Sequence, residues 1–450
     1  MSPETATQSH TDLVVDVGPV AHGGHCVARH EGRVVFVRHG IPGEKVRVRL
    51  TESAPDAKFW RGDVVEVLAA SPDRVEHFWD FADSRRSWSH RHPPLGGAEL
   101  GHISLARQRS LKAEVLAEQL KRLAGVERVT EVEAVDGPAA AGTADGLAWR
   151  TRAGFAVTPG GKLGMHAHRS DTVLPVREMP LAVDGINALR LWEIDLQGIE
   201  RVEVAAPANG SRPLVLLVPA PAPGTRAKRL SAILAQLPED VSVASFDPAK
   251  GEALQLRGRT YVQETAAGHD YRVTGDGFWQ IHRAGPDTLV GAMTGFLRDG
   301  GFLDAGAVVA DLYAGAGLFT APLADAVGVT GSVLSVEGSP GTSRDARKNL
   351  HGASQVEIVQ GRVERVLRQS QRNFDAILLD PPRAGAGKAV VNQIGTGPRA
   401  VAYVSCDPAS FARDLGYFQQ GGWELSGLRA FDLYPHTHHM ETVALLTPRR

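Results

Sequence analysis

Ala307-Val-Val-Ala-Asp-Leu-Tyr-Ala-Gly-Ala-Gly-Leu-Phe-Thr320 decides the fold of this chain. Its first seven residues form an apolar, β-branched run bounded by glycine, the pattern of a strand buried on both faces. The glycines then turn the backbone sharply into a helix. Outward from it the same grammar repeats, with strands at Ser332–Glu337, Val356–Val359, Phe374–Asp380, Ala400–Val404 and Glu441–Leu446 separated by helical intervals. Strands alternating with helices imply a Rossmann-like α/β fold, a doubly wound and mostly parallel sheet. In such sheets ligands bind at the carboxyl ends of the strands.

Gly315 and Gly317 let a backbone approach a ligand closely, and Glu337 ends the next strand, where an acid reaches a ribose. Thr320 stands where a dinucleotide fingerprint places its third glycine, which disfavours NAD. Asp311 at the first strand's end would repel a phosphate and suits a nucleoside carrying a cation, which points to S-adenosyl-L-methionine. Asp380-Pro-Pro-Arg383 ends another strand in a rigid, donor-poor turn, either a plain terminator or a clamp for a flat ring. Cys406, in Ser405-Cys-Asp-Pro408, sits where a strand turns into a helix whose dipole favours a thiolate. Free cysteines are also commonly buried and inert, so position alone leaves both readings open. His436, His438 and His439 crowd one loop beside Glu441. They are expected to shape that loop, and no metal is expected.

The rest of the chain bounds the answer. At 450 residues it needs two or three cores, its formal net charge is −2, and its two cysteines exclude a disulfide framework. Met1–Asp12 is polar and unlike a secretory signal, and no apolar run approaches the ~20 residues of a membrane span, so a cytoplasmic location and no membrane partner are expected. Residues 1–75 read as short strands of an OB-type β-barrel, with Arg29, Arg33, Arg38, Arg47, Arg49 and Arg61 interleaved with Phe36, Phe59 and Trp60. Residues 76–275 read as a central α+β domain and 276–450 as the doubly wound domain. Within the centre, Arg85–Leu95 reads as an irregular loop, Ser104–Leu123 as an amphipathic helix able to pack on the last domain, and Gly137–Gly146 as a mobile loop. Strands are expected at Trp149–Phe155, Leu214–Val218 and Arg257–Val262, and a helix near Ser231–Leu237.

Two resemblances sharpen this. Gly23-Gly24, Val27-Ala28, Gly32–Val37 and Pro42–Val46 resemble a TRAM domain, which implies RNA binding. Asp311–Gly317, Asp380–Arg383, Ser405–Pro408 and His436–Thr442, with Gly277-Phe-Trp-Gln-Ile281, resemble in order and spacing the uracil-5-methyltransferase family of RNA-modifying enzymes. That resemblance implies a class I methyltransferase domain using S-adenosyl-L-methionine, with Cys406 as the nucleophile and Glu441 as the base. It further implies that Gln280, Tyr313, Glu337 and Asp380 contact the cofactor; Gly315 and Gly317 of the turn are expected in the same contact, and Phe278 and Arg383 are expected to contact the substrate. The expected product is 5-methyluridine in 23S rRNA, with tRNA the alternative and a monomer the expected state. A non-catalytic RNA-binding or remodelling protein on the same fold is the rival from another class. Many members carry four cysteines holding an iron–sulfur cluster. Here Ser87, Trp88 and Gly96–His102 occupy that region and Cys26 lies in the barrel, so no cluster is expected.

Overall fold

The strand Val308–Leu312 lies inside an eight-stranded sheet in a computed structural model that describes residues 11–135, 145–221 and 226–449. Most of Met1–Asp12 and of the Gly137–Gly146 loop lies outside the described residues. The chain divides into two compact units. The first holds Met1–Val115, His166–Thr172 and Tyr434–His438, and the second holds Leu116–Met165, Val173–Leu433 and His439–Arg450.

In the second unit the large sheet runs in the order Val356–Gln360, Ser332–Glu337, Val308–Leu312, Ala376–Leu379, Ala400–Ser405, Glu441–Pro448, Trp423–Asp432, Val132–Ala134. Its first five strands are parallel, and Glu441–Pro448 is antiparallel to both of its neighbours. Every residue of Ala400–Ser405 is buried, as a strand covered on both faces must be. Strand order therefore reverses beside Val308–Leu312, where Ala376–Leu379 begins the second half, and the carboxyl ends there make the expected crevice.

A seven-stranded sheet precedes it, in the order Val173–Pro175, Leu163–His166, Arg152–Val157, Ile199–Ala205, Leu214–Pro219, Ser242–Asp247, Glu252–Arg257. The strand expected at Arg257–Val262 is instead split. Glu252–Arg257 ends at Gly258, which has φ 70°, and Tyr261–Ala266 starts a separate hairpin with His269–Thr274. A side chain at Gly258 would meet Ser242 Oγ at 2.6 Å, so the close turn admits only glycine.

The first unit wraps a six-stranded sheet around an apolar core of Val15, Val17, Val35, Val37, Val46, Val48 and Val64. Cys26 belongs to that core and donates to Gly40 O at 3.5 Å. Burial pushes its thiol up to about 12, so it is a packing residue. The expected irregular loop at Arg85–Leu95 is partly helical. Asp83 caps Ser84–Ser89 by accepting from Arg85 N, a signal hidden among prolines, serines and histidines. The helix expected from Ser104 forms as Leu105–Gln119 and runs on as a π-helical turn, Leu120–Ala124, that Gly125 closes at φ 65°. That turn packs against Pro408–Gln420, with Leu123 O 3.1 Å from the position a Cβ would take on Gly416.

Candidate active site

Two neighbouring strands place Cys406 and Glu441, the expected nucleophile and base. Ser405 pairs with Thr442 as the last rung of the Ala400–Ser405 and Glu441–Pro448 ladder, and Thr442 Oγ1 donates to Ser405 O at 3.2 Å. Because the strands are antiparallel, Cys406 follows that rung on one strand and Glu441 precedes it on the other, and the Glu441 carboxylate is near enough to raise the Cys406 thiol. Glu441 is 3% exposed and its backbone is fixed from the other side by pairing with Phe431. Cys406 is half-buried at the corner. Asp407 N reaches Ser405 Oγ at 3.3 Å, and Asp407 Oδ1 accepts from Ser410 N at 2.7 Å, capping the helix Pro408–Gln420.

The electrostatics differ from what the corner alone suggests. Burial, then the carboxylates of Glu441 and Asp380, push the Cys406 thiol up to about 12, and Arg383 opposes them. Two carboxylates at close range outweigh the end of a helix dipole, whose effect is modest and confined to the first turn. The resting sulfur is a thiol.

The glycine turn builds the other half of the crevice. Tyr313 adopts φ 66°, an uncommon conformation for a non-glycine residue, and Gly315 and Gly317 follow at φ 57° and 95°. Gly315 N donates to Glu337 Oε2 at 2.8 Å and Ser339 N to Glu337 Oε1 at 2.6 Å, so the acid is locked beside the turn. Asp311 is fully buried. Its Oδ2 accepts from Thr320 Oγ1 at 2.5 Å, while Oδ1 has no partner. Thr320 thus has a use of its own at the position where a dinucleotide fold would want glycine. Burial pushes both Asp311 and Asp380 up to about 7, and each is raised further by a neighbouring carboxylate, Glu337 for Asp311 and Asp311 for Asp380. An orphaned acceptor within a cluster of acids is what a cationic ligand would relieve, so these residues fit S-adenosyl-L-methionine.

Gln280 is buried and its Nε2 lies 3.4 Å from Asp380 Oδ2. Phe278, two residues earlier, is 64% exposed, whereas Trp279 packs on Tyr271 with ring centroids 5.1 Å apart. Arg383 is exposed, with Nη2 3.4 Å from His439 Nε2. The structure therefore gathers Cys406, Glu441, Asp380 and Arg383 by geometry or mutual field, joins Gln280 to Asp380, and groups Tyr313, Gly315, Gly317 and Glu337 at the turn.

The three histidines separate. His436 N donates to Gln108 Oε1 at 2.7 Å and its ring lies 4.5 Å from that of Phe78, while His438 is bound through N and Nδ1 to Glu99. Among the described residues no group of three or more His, Cys, Asp or Glu is placed to hold a metal ion. Sequence reading missed a network behind the Asp380 loop. Tyr403 Oη donates to the buried Asp414 at 2.7 Å, and Ala386 N and Gly387 N bond to Tyr403 Oη and Asp414 Oδ2 at 3.1 Å each. An aspartate on the inward side of an otherwise apolar helix face was the available signal.

The first unit carries a ladder of rings and cations on its barrel. His25, Phe36 and Phe59 stack edgewise at 5.1 and 5.2 Å, Arg61 lies 4.6 Å from the Phe59 ring, and Arg33 lies 4.4 Å from Trp60.

Comparison with known proteins shows the family of the chain and its N-terminal domain. Residues 344–449 match the family model described as tRNA (Uracil-5-)-methyltransferase, and residues 12–65 match the TRAM domain. An uncharacterized RNA methyltransferase of Streptomyces avermitilis is 44% identical, covering 96% of this chain and 98% of its own. The 23S rRNA (uracil(1939)-C(5))-methyltransferase of Cronobacter sakazakii is 30% identical, covering 94% and 93%. Among solved structures, the Pyrococcus abyssi tRNA (uracil-54, C5)-methyltransferase in complex with S-adenosyl-L-homocysteine superposes with a TM-score of 0.67 at 20% identity, over 96% of this chain and 99% of that one.

Proposed function

The chain belongs to the uracil-5-methyltransferase family of RNA-modifying enzymes, which depend on S-adenosyl-L-methionine, and from that premise we propose that it methylates carbon 5 of a uridine in 23S rRNA through Cys406 and Glu441. The observation that carries the reading is that the Ser405–Thr442 rung brings Cys406 and Glu441 to adjoining strand ends, within reach of each other's field.

Carbon 5 of uracil is a poor nucleophile. Once the Cys406 thiol has given its proton to solvent, addition of the thiolate sulfur to carbon 6 turns the ring into an enolate whose carbon 5 can attack an electrophile. S-adenosyl-L-methionine, when bound, supplies that electrophile as a methyl group on a sulfonium. Tyr313, Gly315, Gly317, Glu337, Asp380 and Gln280 would hold it. Glu441 then takes the proton from carbon 5, and the electrons left behind expel the Cys406 sulfur and restore the ring. A neutral thiol at rest keeps the sulfur unreactive until substrate arrives. Arg383 is the cation whose field favours the thiolate, and it is exposed on the loop where a phosphate or carbonyl of the RNA would meet it. A base that reacts at its edge must leave the stack, so the target is an unpaired, extruded uridine. Phe278 offers a ring for stacking near the same crevice.

No helix among the described residues is long and apolar enough to cross a membrane. A cytoplasmic location and a monomeric state belong to the same proposal. Full-length similarity at 30% to a 23S rRNA enzyme supports the ribosomal substrate, and the shared fold of a tRNA enzyme makes tRNA the alternative. Retention of Cys406 together with Glu441 argues against a non-catalytic protein. Labelled methyl transfer to RNA from cells lacking the protein, followed by mapping of 5-methyluridine, tests all three. Signal in 23S rRNA that disappears with Cys406→Ala is expected. Incorporation that survives this substitution would overturn the mechanism, and incorporation confined to tRNA would overturn the substrate.

A further inference from the structure

Away from the reacting groups, one face of the seven-stranded sheet is left uncovered over part of its area. Register places Arg152 and Gly154 across from Ala205 and Glu203, which in turn face Leu214 and Leu216, so these side chains share one face. The segment Gly275–Ile281 lies over that face. At Gly275 the backbone comes so close that a Cβ would meet Leu216 at 2.4 Å. Further along the two separate and enclose a cavity of about 300 Å³. That is at the small end of the roughly 300–1,000 Å³ range of ligand sites.

Its walls combine apolar surface with both signs of polar group. Leu214 and Leu216 supply the first, and Phe278 at the edge is 64% exposed. The Arg152 guanidinium spends Nη1 on Gly277 O at 2.6 Å, and its buried Nε and Nη2 have no hydrogen-bond partner. Glu203, held at 3.0 Å by Arg201, and Asp276 line the same space. Arg150 and Arg152 set two cations against those two acids, so the walls carry no net positive charge to favour a phosphate. They suit a nucleobase, because it offers flat apolar faces with donors and acceptors on its edges.

We propose that this cavity takes a second unstacked base of the RNA, and that guanine fits it best. Guanine alone presents O6 and N7 to a guanidinium while offering N–H groups to a carboxylate. The cavity edge leads within two residues from Phe278 to Gln280, which touches Asp380, so a neighbour of the target uridine is the base in reach. The inference rests on the RNA reading above and adds to it a point of sequence discrimination.

Gly154 gives the test. It lies in a regular strand and nothing stands within 4 Å of where its Cβ would be, so a larger side chain fills the cavity without touching the reacting residues. With the full chain and RNA from cells lacking it, Gly154→Leu should raise KM for RNA about tenfold or more, the value of losing one stacked base. Affinity for S-adenosyl-L-homocysteine should be unchanged. Gly154→Val gives the same direction if the leucine variant does not fold. Saturation-transfer NMR with the four nucleosides should favour guanosine in the wild type and lose that signal in the filled variant. A filled variant with wild-type KM, or guanosine signals that survive the filling, overturns the proposal. No methyl transfer by the wild type would instead overturn the functional reading.

Discussion

Replacing Asp311 with asparagine should stabilise the protein at pH 8 while weakening its hold on cofactor. Asp311 is fully buried with one oxygen unpartnered, and its carboxyl titrates at about 7 instead of 3.8. A carboxylate whose folded value is raised binds its proton more tightly in the native state than in the unfolded chain. Stability is therefore lost as pH rises from about 4 to 7, and the loss is complete above that. At about 1.4 kcal/mol per pKa unit, the buried charge costs at most about 4 kcal/mol at pH 8 and roughly 1–2 kcal/mol at pH 5. Asparagine keeps the shape and still accepts from Thr320, at a price of roughly 1 kcal/mol for the weaker, uncharged hydrogen bond. The variant should thus gain about 3 kcal/mol on the wild type at pH 8 and almost nothing at pH 5. Urea denaturation of both chains without cofactor at the two pH values measures this, and S-adenosyl-L-methionine titration at pH 8 should show weaker binding by the variant. A stability difference that does not grow with pH, or that grows in favour of the wild type, would refute the reasoning.

Iodoacetamide should alkylate Cys406 slowly at pH 7.5, with a rate still climbing at pH 10. Asp380→Asn should speed it at fixed pH because a carboxylate that raises the thiol is gone; half-maximal reaction near pH 7 would contradict the assigned environment. Glu441→Gln should still form the adduct and transfer the methyl group but fail to release product. It should leave a denaturant-stable protein–RNA species and a turnover about 10²–10⁴-fold lower, and normal turnover would remove Glu441 from the mechanism. On the barrel, Arg61→Gln should weaken RNA binding and reduce the slope of log affinity against log salt by about 0.7–0.9, whereas an unchanged slope would mean that Arg61 meets no phosphate.

What could be read from the sequence was what local pattern controls. The parallel strands, the glycine turn and the Cys406 corner are written as β-branched runs and turn residues, and they form where those patterns stand. What could not be read depends on partners distant in the chain. Trp423–Asp432 mixes polar and apolar residues because one flank meets the short strand Val132–Ala134, about 300 positions away, and no local periodicity records that pairing. The histidine loop is another case: His436 and His438 take their partners from Gln108 and Glu99. The raised thiol of Cys406 also depends on Asp380 and Glu441, which only the folded sheet brings to its side.

The helix Pro408–Gln420 shows why position and chemistry should be separated when a site is inferred. Its first turn was the reason to suspect Cys406, on the ground that the dipole would favour a thiolate. In the fold its larger contribution comes two turns later. Asp414 lies 2.7 Å from Tyr403 Oη and 3.1 Å from Gly387 N, and the adjacent Arg413 donates to Ala384 O at 2.7 Å. One rigid helix therefore ties the corner that bears Cys406 to the loop that bears Asp380 and Arg383. A side chain at Gly385, which has φ 78°, would strike Asp414 at 2.5 Å, so the loop runs tight against its anchor. Asp380 and Arg383 act on the sulfur with opposite sign. Holding both at fixed distance keeps the thiol neutral at rest: an anion that offset Arg383 would raise it further, so a shift toward the thiolate calls for positive charge that offsets the Asp380 carboxylate.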